Sequence, residues 1–357
     1  MDKKYTIKDI AKLAGVSKGT VDRVLHGRGK VSDEANQKIK QVLKEIDYHP
    51  NPIARNLKNN RIYRICVLLP DPNFDPYWIP ANEGIDDAII EFKPFGLMVE
   101  KFFYNTGQRN SFVEEADNAV RSAPDAILMA PVFHKESLQV FEKCQKKQIK
   151  VAFFNNYIDI FNTENFIGQD LTQSGRVAAS LIDKMETGNS TIVILHIDEE
   201  AHMRQKENGF KEYFEEQKDV RHTLITYSLN SIDNEHFKKN IADFFEKHPT
   251  VSSIFVTNSK AYLLIDAIRG LSKNMIIIGY DLLEENIAYL ENGKIDFLIH
   301  QKPKRQAYLG VVNLADYFLF GKPIQRRNLL PIDIITAENV KYYLEPVDKE
   351  KRSLNRH

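Results

Sequence analysis

Polar and aromatic side chains recur directly after apolar runs in the C-terminal part of this 357-residue sequence. These residues are Tyr77, Trp78, Asn155, Asn156, Arg204, Asn258, Asp281 and Gln301. Amide, carboxylate and guanidinium groups together donate hydrogen bonds to hydroxyls and accept them, and aromatic rings stack on the C–H face of a sugar ring. Their types therefore predict noncovalent recognition of a polyol, although a lone Asp or Asn after a strand often only caps a helix.

Residue patterns for covalent or metal-dependent catalysis do not occur in the sequence. Cys66 lies in an apolar run and Cys144 in a helical stretch, without a CxxC pair, and the ten His residues have no metal-ligand spacing. A nucleophile elbow, a P-loop and a strand–GxGxxG–helix pattern are also missing. The charged pairs Lys206-Glu207 and Glu284-Glu285 are interpreted as parts of solvated helix faces. We therefore expect a binding protein with no catalytic residues, no metal and no cofactor.

Apolar runs alternate with amphipathic stretches after Arg61, which predicts parallel sheets with crossover helices. The runs cover residues 65–69, 97–103, 126–130, 151–154, 191–197, 224–227, 253–256, 275–278 and 297–299. The 293 residues after Arg64 exceed one typical core and predict two doubly wound lobes. Such sheets bind ligands at the carboxyl ends of their strands, which is where the polar residues fall.

The first part of the chain has a different pattern, with two short helical segments joined at Ala14-Gly15-Val16. Thr6, with Asp9 three residues later, predicts a capped first helix, and Ser17 predicts the cap of a second helix ending near His26. This spacing is typical of a helix-turn-helix, with an ordinary helical hairpin as the alternative.

Charge is distributed unevenly along the chain. Up to Arg64 there are 15 basic and 7 acidic residues, and the remaining 293 residues hold 34 basic and 42 acidic residues, so the formal net charge of zero hides a basic head on an acidic body. A basic head predicts docking on the phosphates of a nucleic acid.

Two further segments complete the head. A third helix is predicted from Asp33 to Ile46, with Ser32 as its cap. The segment from Asn51 to Lys58 begins with Asn and Pro, which suit a helix start, but it is too short to be stable alone. We expect it to fold only against a partner.

The region from Thr6 to Lys58 resembles the head of the LacI-type bacterial transcription regulators, through D-I-A-x-x-A-G-V-S, T-V-x-R-V-L and Y-H-P-N-P-I-A-R-N-L. The resemblance implies major-groove positions for Lys18, Gly19 and Arg23. It implies phosphate contacts for Thr6, Ser17, Thr20, His26, Lys30, Ser32 and Asn51. It also implies a hinge helix in which Ala54 lies and Leu57 is the apolar wedge in the minor groove. Gly19 and Asp22 depart from common family residues; Asp22 is expected to pair with Lys18 or to accept from a cytosine amino group.

The region from about Arg64 to Glu345 resembles the type I periplasmic sugar-binding fold, through F-I-G-Q-D, I-G-Y-D and I-H-Q-K-P. The resemblance assigns Asp281 and Asn258 to sugar hydroxyls and Arg204 and Gln301 to ring or anomeric oxygens. It assigns Tyr77 or Trp78 to stacking, and it leaves open whether Asn155 or Asn156 contacts the ligand.

The predicted architecture is therefore an all-α helix-turn-helix head with a hinge helix, followed by a two-lobed α/β domain like a type I periplasmic binding protein. The predicted boundaries are 1–50 for the head, 51–61 for the hinge, 62–346 for the two lobes and 347–357 for a polar tail. A short hinge that cannot fold alone, together with the family's pseudo-palindromic recognition, implies a homodimer on double-stranded operator DNA.

The predicted function is that of a sequence-specific transcription regulator, a repressor, whose operator affinity changes when a small sugar-like effector binds between the lobes. The family favours release of DNA by the effector. The alternatives are a purine-like corepressor stacked on Tyr77 and Trp78, or a sugar-modifying enzyme with an accessory helical head. The sequence has no secretory signal and no apolar run long enough for a bilayer, so we expect a cytoplasmic protein.

Overall fold

The structure is a computed structural model of the chain. It describes residues 5–26, 29–46, 48, 61–158, 165–198, 200–218, 221–269 and 275–344. The predicted hinge with Asn51, Ala54 and Leu57, the tail at 347–357 and the side chain of His26 lie outside the described residues. The chain divides into two compact units, residues 1–61 with 319–321 and residues 62–318 with 322–357.

Three helices form the head: Ile7–Ala14 (α1), Lys18–His26 (α2) and Asp33–Glu45 (α3). The backbone N–H of Thr6 donates to Asp9 Oδ2 at 2.9 Å, and Thr6 Oγ1 accepts from the backbone N–H of Asp9 at 3.3 Å, so a capping box starts α1. Gly15 ends α1 at φ 66°, in the left-handed region that side chains disfavour, which allows the tight corner before α2.

The head has its own small core. Ile10, Val21 and Ile39, one from each helix, are completely buried against each other. Ser32 caps α3 by accepting from the backbone N–H of Ala35 at 3.4 Å, as predicted from the sequence. Because the three helices share one apolar cluster, the predicted helix-turn-helix head is confirmed.

Lobe 1 contains a parallel six-stranded sheet. Its strands, numbered in chain order over the whole body, are Tyr63–Pro70 (β1), Leu97–Tyr104 (β2), Ala126–Met129 (β3), Lys150–Phe154 (β4), Phe166–Gly168 (β5) and Arg327–Leu329 (β11). They pair in the order β2-β1-β3-β4-β5-β11. Its helices are Ile79–Phe92 (α4), Arg109–Arg121 (α5), His134–Lys146 (α6) and Pro303–Phe320 (α12), with short 3-10 turns at Pro76–Trp78 and Lys93–Phe95.

Lobe 2 repeats this architecture with one reversed strand. Its strands are Ser190–Ile197 (β6), His222–Leu229 (β7), Val251–Val256 (β8), Ile276–Tyr280 (β9), Phe297–His300 (β10) and Asp333–Ile335 (β12). Their order is β7-β6-β8-β9-β10-β12, and β12 is antiparallel to β10. Its helices are Leu171–Met185 (α7), Ala201–Gln217 (α8), Asn234–Lys247 (α9), Ala261–Ala267 (α10) and Glu284–Glu291 (α11), and a 3-10 turn follows at Val340–Tyr342.

Both faces of the lobe 2 sheet are buried, which explains its continuous apolar strands. Along β6, Ile192 and Ile194 pack into a cluster on one face, while Val193 and Leu195 pack into a second cluster on the other. The nine predicted apolar runs correspond to the nine longer strands. The sequence reading missed β5, β11 and β12, because three residues are too few for a periodic pattern.

The chain crosses between the lobes three times, after β5, after β10 and between β11 and β12. Gln169 lies in the first crossing and is almost completely buried. Its Nε2 donates to the carbonyl oxygen of His300 at 2.9 Å in the second crossing and to that of Pro331 at 2.8 Å in the third. One side chain therefore ties all three crossings together.

Within the described ranges, no helix combines the length and the apolar character that a membrane span requires.

Candidate functional site

Helix α2 carries the side chains predicted to read DNA. Lys18, Gly19 and Arg23 are exposed, as is the helix start at Ser17. The backbone N–H of Thr20 donates to Ser17 Oγ at 3.1 Å, and the hydroxyl oxygens of the two residues lie 2.8 Å apart. The start of α2 is thus rigid, polar and accessible, as a helix that enters a groove must be.

The other described head positions are also on the surface, except that Thr20 and Asp22 are half-buried. Thr6, Lys30 and Ser32 are exposed, although the hydroxyls of Thr6 and Ser32 already serve as helix caps. The phosphate contacts of these residues, and the partner chosen by Asp22, stay predictions.

A cavity of about 790 Å³ joins the two lobes near their crossings. Tyr77 lines it from lobe 1 and Asp281 from lobe 2, with Lys302 of the second crossing and Tyr343 near the end of the described chain. Its size matches a small-molecule site. Two of the eight sequence-predicted residues, Tyr77 and Asp281, therefore line one cavity.

Asp281, which lines this cavity, is hydrogen-bonded to Gln301. Asp281 Oδ2 accepts from Gln301 Nε2 at 2.7 Å, and Asp281 Oδ1 accepts from the backbone N–H of Gln301 at 2.8 Å. His300 Nδ1 lies 3.6 Å from the same carboxylate. The carboxylate is thus fixed in direction at the carboxyl ends of β9 and β10, where a ligand hydroxyl would meet it.

Asn286, a residue that no sequence pattern predicted, holds the backbone at Asp281. Asp281 has a φ of 63°, which is uncommon for a residue with a side chain. The completely buried Asn286 donates from Nδ2 to the carbonyl oxygens of Ser259 at 2.7 Å and Tyr280 at 3.1 Å, and its Oδ1 accepts from the backbone N–H of Tyr262. It therefore joins the ends of β8 and β9 beneath the candidate carboxylate.

On the lobe 1 side the cavity is lined by Tyr77, Pro80, Glu83 and Asp87, and Tyr77 is hydrogen-bonded to Asn155. Asn155 Nδ2 donates to the Tyr77 hydroxyl, and the ring of Trp78 meets the Phe154 ring edge-on at 6.0 Å. Burial, and next the charge of Asp281, raise the pKa of Tyr77 well above its ordinary value, so this hydroxyl stays protonated. Tyr77 and Trp78 are both largely buried in this structure.

Asn156 differs from Asn155 in its hydrogen bonding. Its side chain is 5% exposed and its Oδ1, in the described part of the chain, has no hydrogen-bond partner. A buried acceptor without a donor is costly, and a ligand hydroxyl would satisfy it. This observation favours Asn156 as the ligand contact, with Asn155 positioning Tyr77.

Asn258 and Arg204 were expected to contact a sugar, but neither lies at the cavity in this structure. Asn258 Nδ2 donates to the carbonyl oxygen of Ile197 at 2.6 Å, and Oδ1 accepts from the backbone N–H of Lys260 at 3.2 Å, so its amide serves the turn after β8. Arg204 is exposed in the first turn of α8. Neither lines the cavity of about 790 Å³, and their ligand contacts stay predictions.

Lys206 is the most unusual residue of this region, and the sequence analysis interpreted it as part of a solvated helix face. Its side chain is completely buried, its Nζ donates to the carbonyl oxygen of Thr257 at 2.9 Å, and it lies 3.6 Å from the centre of the Tyr280 ring. Burial lowers the pKa of Lys206 to about 8, although Asp281 and Glu200 act in the opposite direction. The interpretation as a solvated residue was wrong for Lys206, because α8 turns this position inward.

Two glycines allow α8 to pack closely against α7, which places Lys206 in the interior. An added Cβ at Gly175 of α7 would lie 1.9 Å from the carbonyl oxygen of Lys206, and one at Gly209 of α8 would lie 1.9 Å from that of Thr172. The helix backbones therefore touch, and only glycine is tolerated at both places. An isolated glycine inside each helical pattern, Gly175 and Gly209, was the available sequence signal for this close approach.

Charged groups surround the ends of the lobe 2 strands. Lys260 Nζ lies 2.5 Å from Asp198 Oδ2. Burial raises the pKa of Asp198, but hydrogen bonds from Lys260 and Ser231 outweigh it and leave that pKa lowered. Burial also raises the pKa of Asp75, which follows β1 in lobe 1. The region thus holds paired ions in lobe 2 and a partly desolvated carboxyl in lobe 1.

Family models match the chain in two segments. A model described as periplasmic binding protein domain matches residues 65–323, and one described as bacterial regulatory proteins, lacI family, matches residues 6–51.

Individual relatives agree with the family models. The ribose operon repressor of Lactococcus lactis is 26% identical over 281 residues, 77% of this chain and 80% of the relative. The HTH-type transcriptional regulator MalR of Streptococcus pneumoniae is 46% identical over 90 residues, 24% of this chain and 27% of the relative. The crystal structure of a putative LacI transcriptional regulator from Bacteroides fragilis superimposes with a TM-score of 0.74 at 27% identity, covering 80% of this chain and all of that chain.

Proposed function

The chain belongs to the LacI-type family of bacterial transcription regulators, and from this premise we propose that it is a repressor released from its operator by a small sugar-like effector. The head supplies the DNA-binding helix α2, and the effector binds where the two lobes meet. The name of the Lactococcus relative, a ribose operon repressor, supports a sugar as the chemical class.

One observation carries the ligand assignment. Asp281, held by Gln301, and Tyr77, held by Asn155, line the same cavity from opposite lobes. A polyol between them would accept from amides, donate to the carboxylate and stack its C–H face on an aromatic ring. Neither Lys206 nor Asn156 lines this cavity. Lys206 interacts electrostatically with Asp281, and Asn156 follows Asn155 with a buried Oδ1 that has no hydrogen-bond partner among the described residues.

The effect on DNA follows from coupled equilibria. A ligand that contacts both lobes favours the arrangement of the lobes in which all contacts are made at once. Lobe 1 is joined to the head through the hinge segment, so a change at the crossings alters the affinity for DNA. Such coupling is typically worth about 1 to 3 kcal/mol. We propose a homodimer on a pseudo-palindromic operator, acting in the cytoplasm where the DNA is.

The experiment begins by selecting genomic fragments that the purified chain retains against random competitor DNA. Binding of the selected fragment is then followed by fluorescence anisotropy during titration with D-ribose, sucrose and adenine. Release by a sugar and not by adenine supports the proposal, whereas tighter binding with adenine supports the purine-like corepressor instead.

The Asp281→Asn variant tests the site itself. The amide of Asn has nearly the same shape as the carboxylate of Asp281, so we expect the variant to fold. It lacks the negative charge, and therefore the strong acceptor to which Gln301 Nε2 and a ligand hydroxyl donate hydrogen bonds. We expect unchanged operator binding and a loss of at least about tenfold in effector affinity, equivalent to one lost charge-assisted hydrogen bond. An unchanged effector response would remove Asp281 from the site. Turnover of the sugar without any DNA preference would overturn the regulator assignment.

A further inference from the structure

The amino-terminal edge of the lobe 1 sheet is strongly basic. Its strands are parallel, and β1 to β4 start at this edge, with Tyr63 of β1 opposite Leu97 of β2 and Ala126 of β3 opposite Lys150 of β4. The short strands β5 and β11 start further along the sheet, because Phe166 pairs with Phe153 of β4 and Arg327 pairs with Phe166. The chain enters lobe 1 from the head at this same edge, since β1 is the first strand of the body.

Two basic residues stand on the strand starts themselves. Arg64 is the second residue of β1 and Lys150 the first of β4. Arg64 donates to the carbonyl oxygen of Ser122 at 2.8 Å, and Lys150 Nζ lies 5.5 Å from the Tyr317 ring centre. Lys150 remains exposed.

Five further basic residues lie in the segments that lead into these strands or just after the last lobe 1 helix, and all are exposed. They are Lys93, Arg121, Lys146, Lys147 and Lys322. Three acidic residues in the described ranges contact this edge: Asp125 Oδ2 accepts from the backbone N–H of Arg64 at 2.9 Å, Glu100 lies 3.3 Å from the Arg64 guanidinium, and Asp316 lies 2.8 Å from Lys322 Nζ. We call the seven basic residues the basic edge.

If helix dipoles explained the excess of basic residues at this edge of lobe 1, the amino-terminal edge of the lobe 2 sheet would carry the same excess. Cations favour helix C-termini, and in both lobes the helices end where the next strand begins. The described segments at that edge of lobe 2 carry five basic residues: Lys218, Arg221, Lys247, Arg269 and Lys294. They also carry four acidic ones: Glu186, Glu291, Asp296 and Glu338. The two lobes share one architecture, yet the positive and negative charges at the lobe 2 edge nearly cancel. The excess of basic residues at the lobe 1 edge therefore has a cause other than helix dipoles.

The opposite edge of lobe 1 has no such excess. At the carboxyl ends of its strands the described segments hold Asp71, Asp75 and Asp170, while Arg109 opens α5, Lys302 precedes α12 and Arg327 lies 4.5 Å from the ring centre of Tyr157, which follows β4. The basic edge thus stands out in a body whose sequence is acidic beyond residue 64. A row of four neighbouring strands about 4.8 Å apart spans roughly 15 Å, a length comparable with several phosphates along one DNA strand.

We propose that the basic edge is a second DNA-binding surface, which contacts the phosphate backbone of duplex DNA outside the bases read by α2. This inference rests on DNA binding by the head. Phosphate contacts from the body carry no base information, so they add affinity and salt dependence without adding sequence preference.

The test compares two triple variants of the full chain. Lys93→Gln, Lys146→Gln and Lys147→Gln remove three exposed cations from the basic edge, and Lys218→Gln, Lys247→Gln and Lys294→Gln remove three from the matching edge of lobe 2. Binding of a 40-base-pair random-sequence duplex is measured by anisotropy between 0.05 and 0.3 M salt. Circular dichroism spectra confirm that each variant folds.

For the lobe 1 variant we expect the slope of log K against log salt to become shallower by about 0.9 for each lost phosphate contact. That change corresponds to about eightfold weaker binding per contact at 0.1 M salt. The lobe 2 variant should match the wild type. Equal losses in both variants, or no loss in either, would overturn the proposal, and wild-type protein that binds no duplex would overturn DNA binding by the head as well.

Discussion

The buried ammonium of Lys206 costs folding free energy, and replacing Lys206 by Met should therefore stabilise the body. Burial lowers the pKa of Lys206 from 10.5 to about 8. Each pKa unit corresponds to about 1.4 kcal/mol, so at pH 7 the folded chain carries this charge at a cost of about 3 kcal/mol relative to the unfolded chain. Met has a similar volume and keeps a favourable contact with the Tyr280 ring.

The substitution also removes a hydrogen bond. The Thr257 carbonyl oxygen loses the donor that lies 2.9 Å away, which costs about 1 to 3 kcal/mol. The expected net result at pH 7 is a free energy of unfolding that is about 1 kcal/mol higher in Lys206→Met. Replacing a buried charge by a well-packed apolar group commonly has this sign.

The pH dependence distinguishes this explanation from simple repacking. Between the folded pKa of about 8 and the unfolded value of 10.5, the unfolded chain binds more protons at Lys206 than the folded chain does. The contribution of Lys206 to the stability of the wild type is therefore least favourable below pH 8 and improves as the pH rises. The advantage of the Met variant should shrink by about 1 kcal/mol between pH 7 and pH 9.

The assay is urea unfolding followed by far-UV circular dichroism at pH 7, 8 and 9. Lys184→Met, an exposed lysine on α7, serves as the control for loss of an ammonium at the surface. Destabilisation by more than about 2 kcal/mol at pH 7, or a pH-independent difference, would refute the reasoning. Stabilisation with loss of effector binding would show that Lys206 is kept for its ligand and not for the fold.

Three other substitutions test separate parts of the molecule. Gly19→Ala should stabilise the head by about 1 kcal/mol in thermal unfolding, because the added Cβ would meet only Ser17 Oγ at an ordinary 3.7 Å; a lower melting temperature would contradict this. Gln169→Leu should destabilise the body by about 2 to 3 kcal/mol, since two buried carbonyls lose their donor, and a denaturant midpoint equal to that of wild type would show that the crossings are held otherwise. Arg23→Ala should relax base preference at one operator position by about 1 to 3 kcal/mol in a competition assay, and equal weakening on every sequence would place Arg23 on phosphate instead.

Local signals in the sequence were sufficient for the head and for the strand pattern of the body. The capping box at Thr6 and the corner at Gly15 form within a few residues, and both are present in the structure. The nine longer strands follow from apolar runs. Seven of them lie inside their sheets, where strands buried on both faces need no polar alternation, while β2 and β7 are edge strands that are partly exposed. The three-residue strands at the sheet edges gave no such signal.

The candidate ligand site was only partly visible in the sequence. Asp281 and Gln301 follow adjacent strands, so the pattern placed them together, and they are hydrogen-bonded to each other. Lys206 was missed because its inward position depends on the contact of two helix backbones at Gly175 and Gly209, which are 34 residues apart in the sequence.

The amino-acid sequence by itself determined the helix-turn-helix head, the two α/β lobes and the edge of each sheet at which a ligand would bind. These features depend on caps, glycines and apolar periodicity, which act over a few neighbouring residues. Only the tertiary structure decided that Lys206 is buried, that Gln169 joins the three crossings and that basic residues from five separate segments share one edge of lobe 1. Each of these depends on strand order and helix crossing, which bring together residues that are distant in the chain.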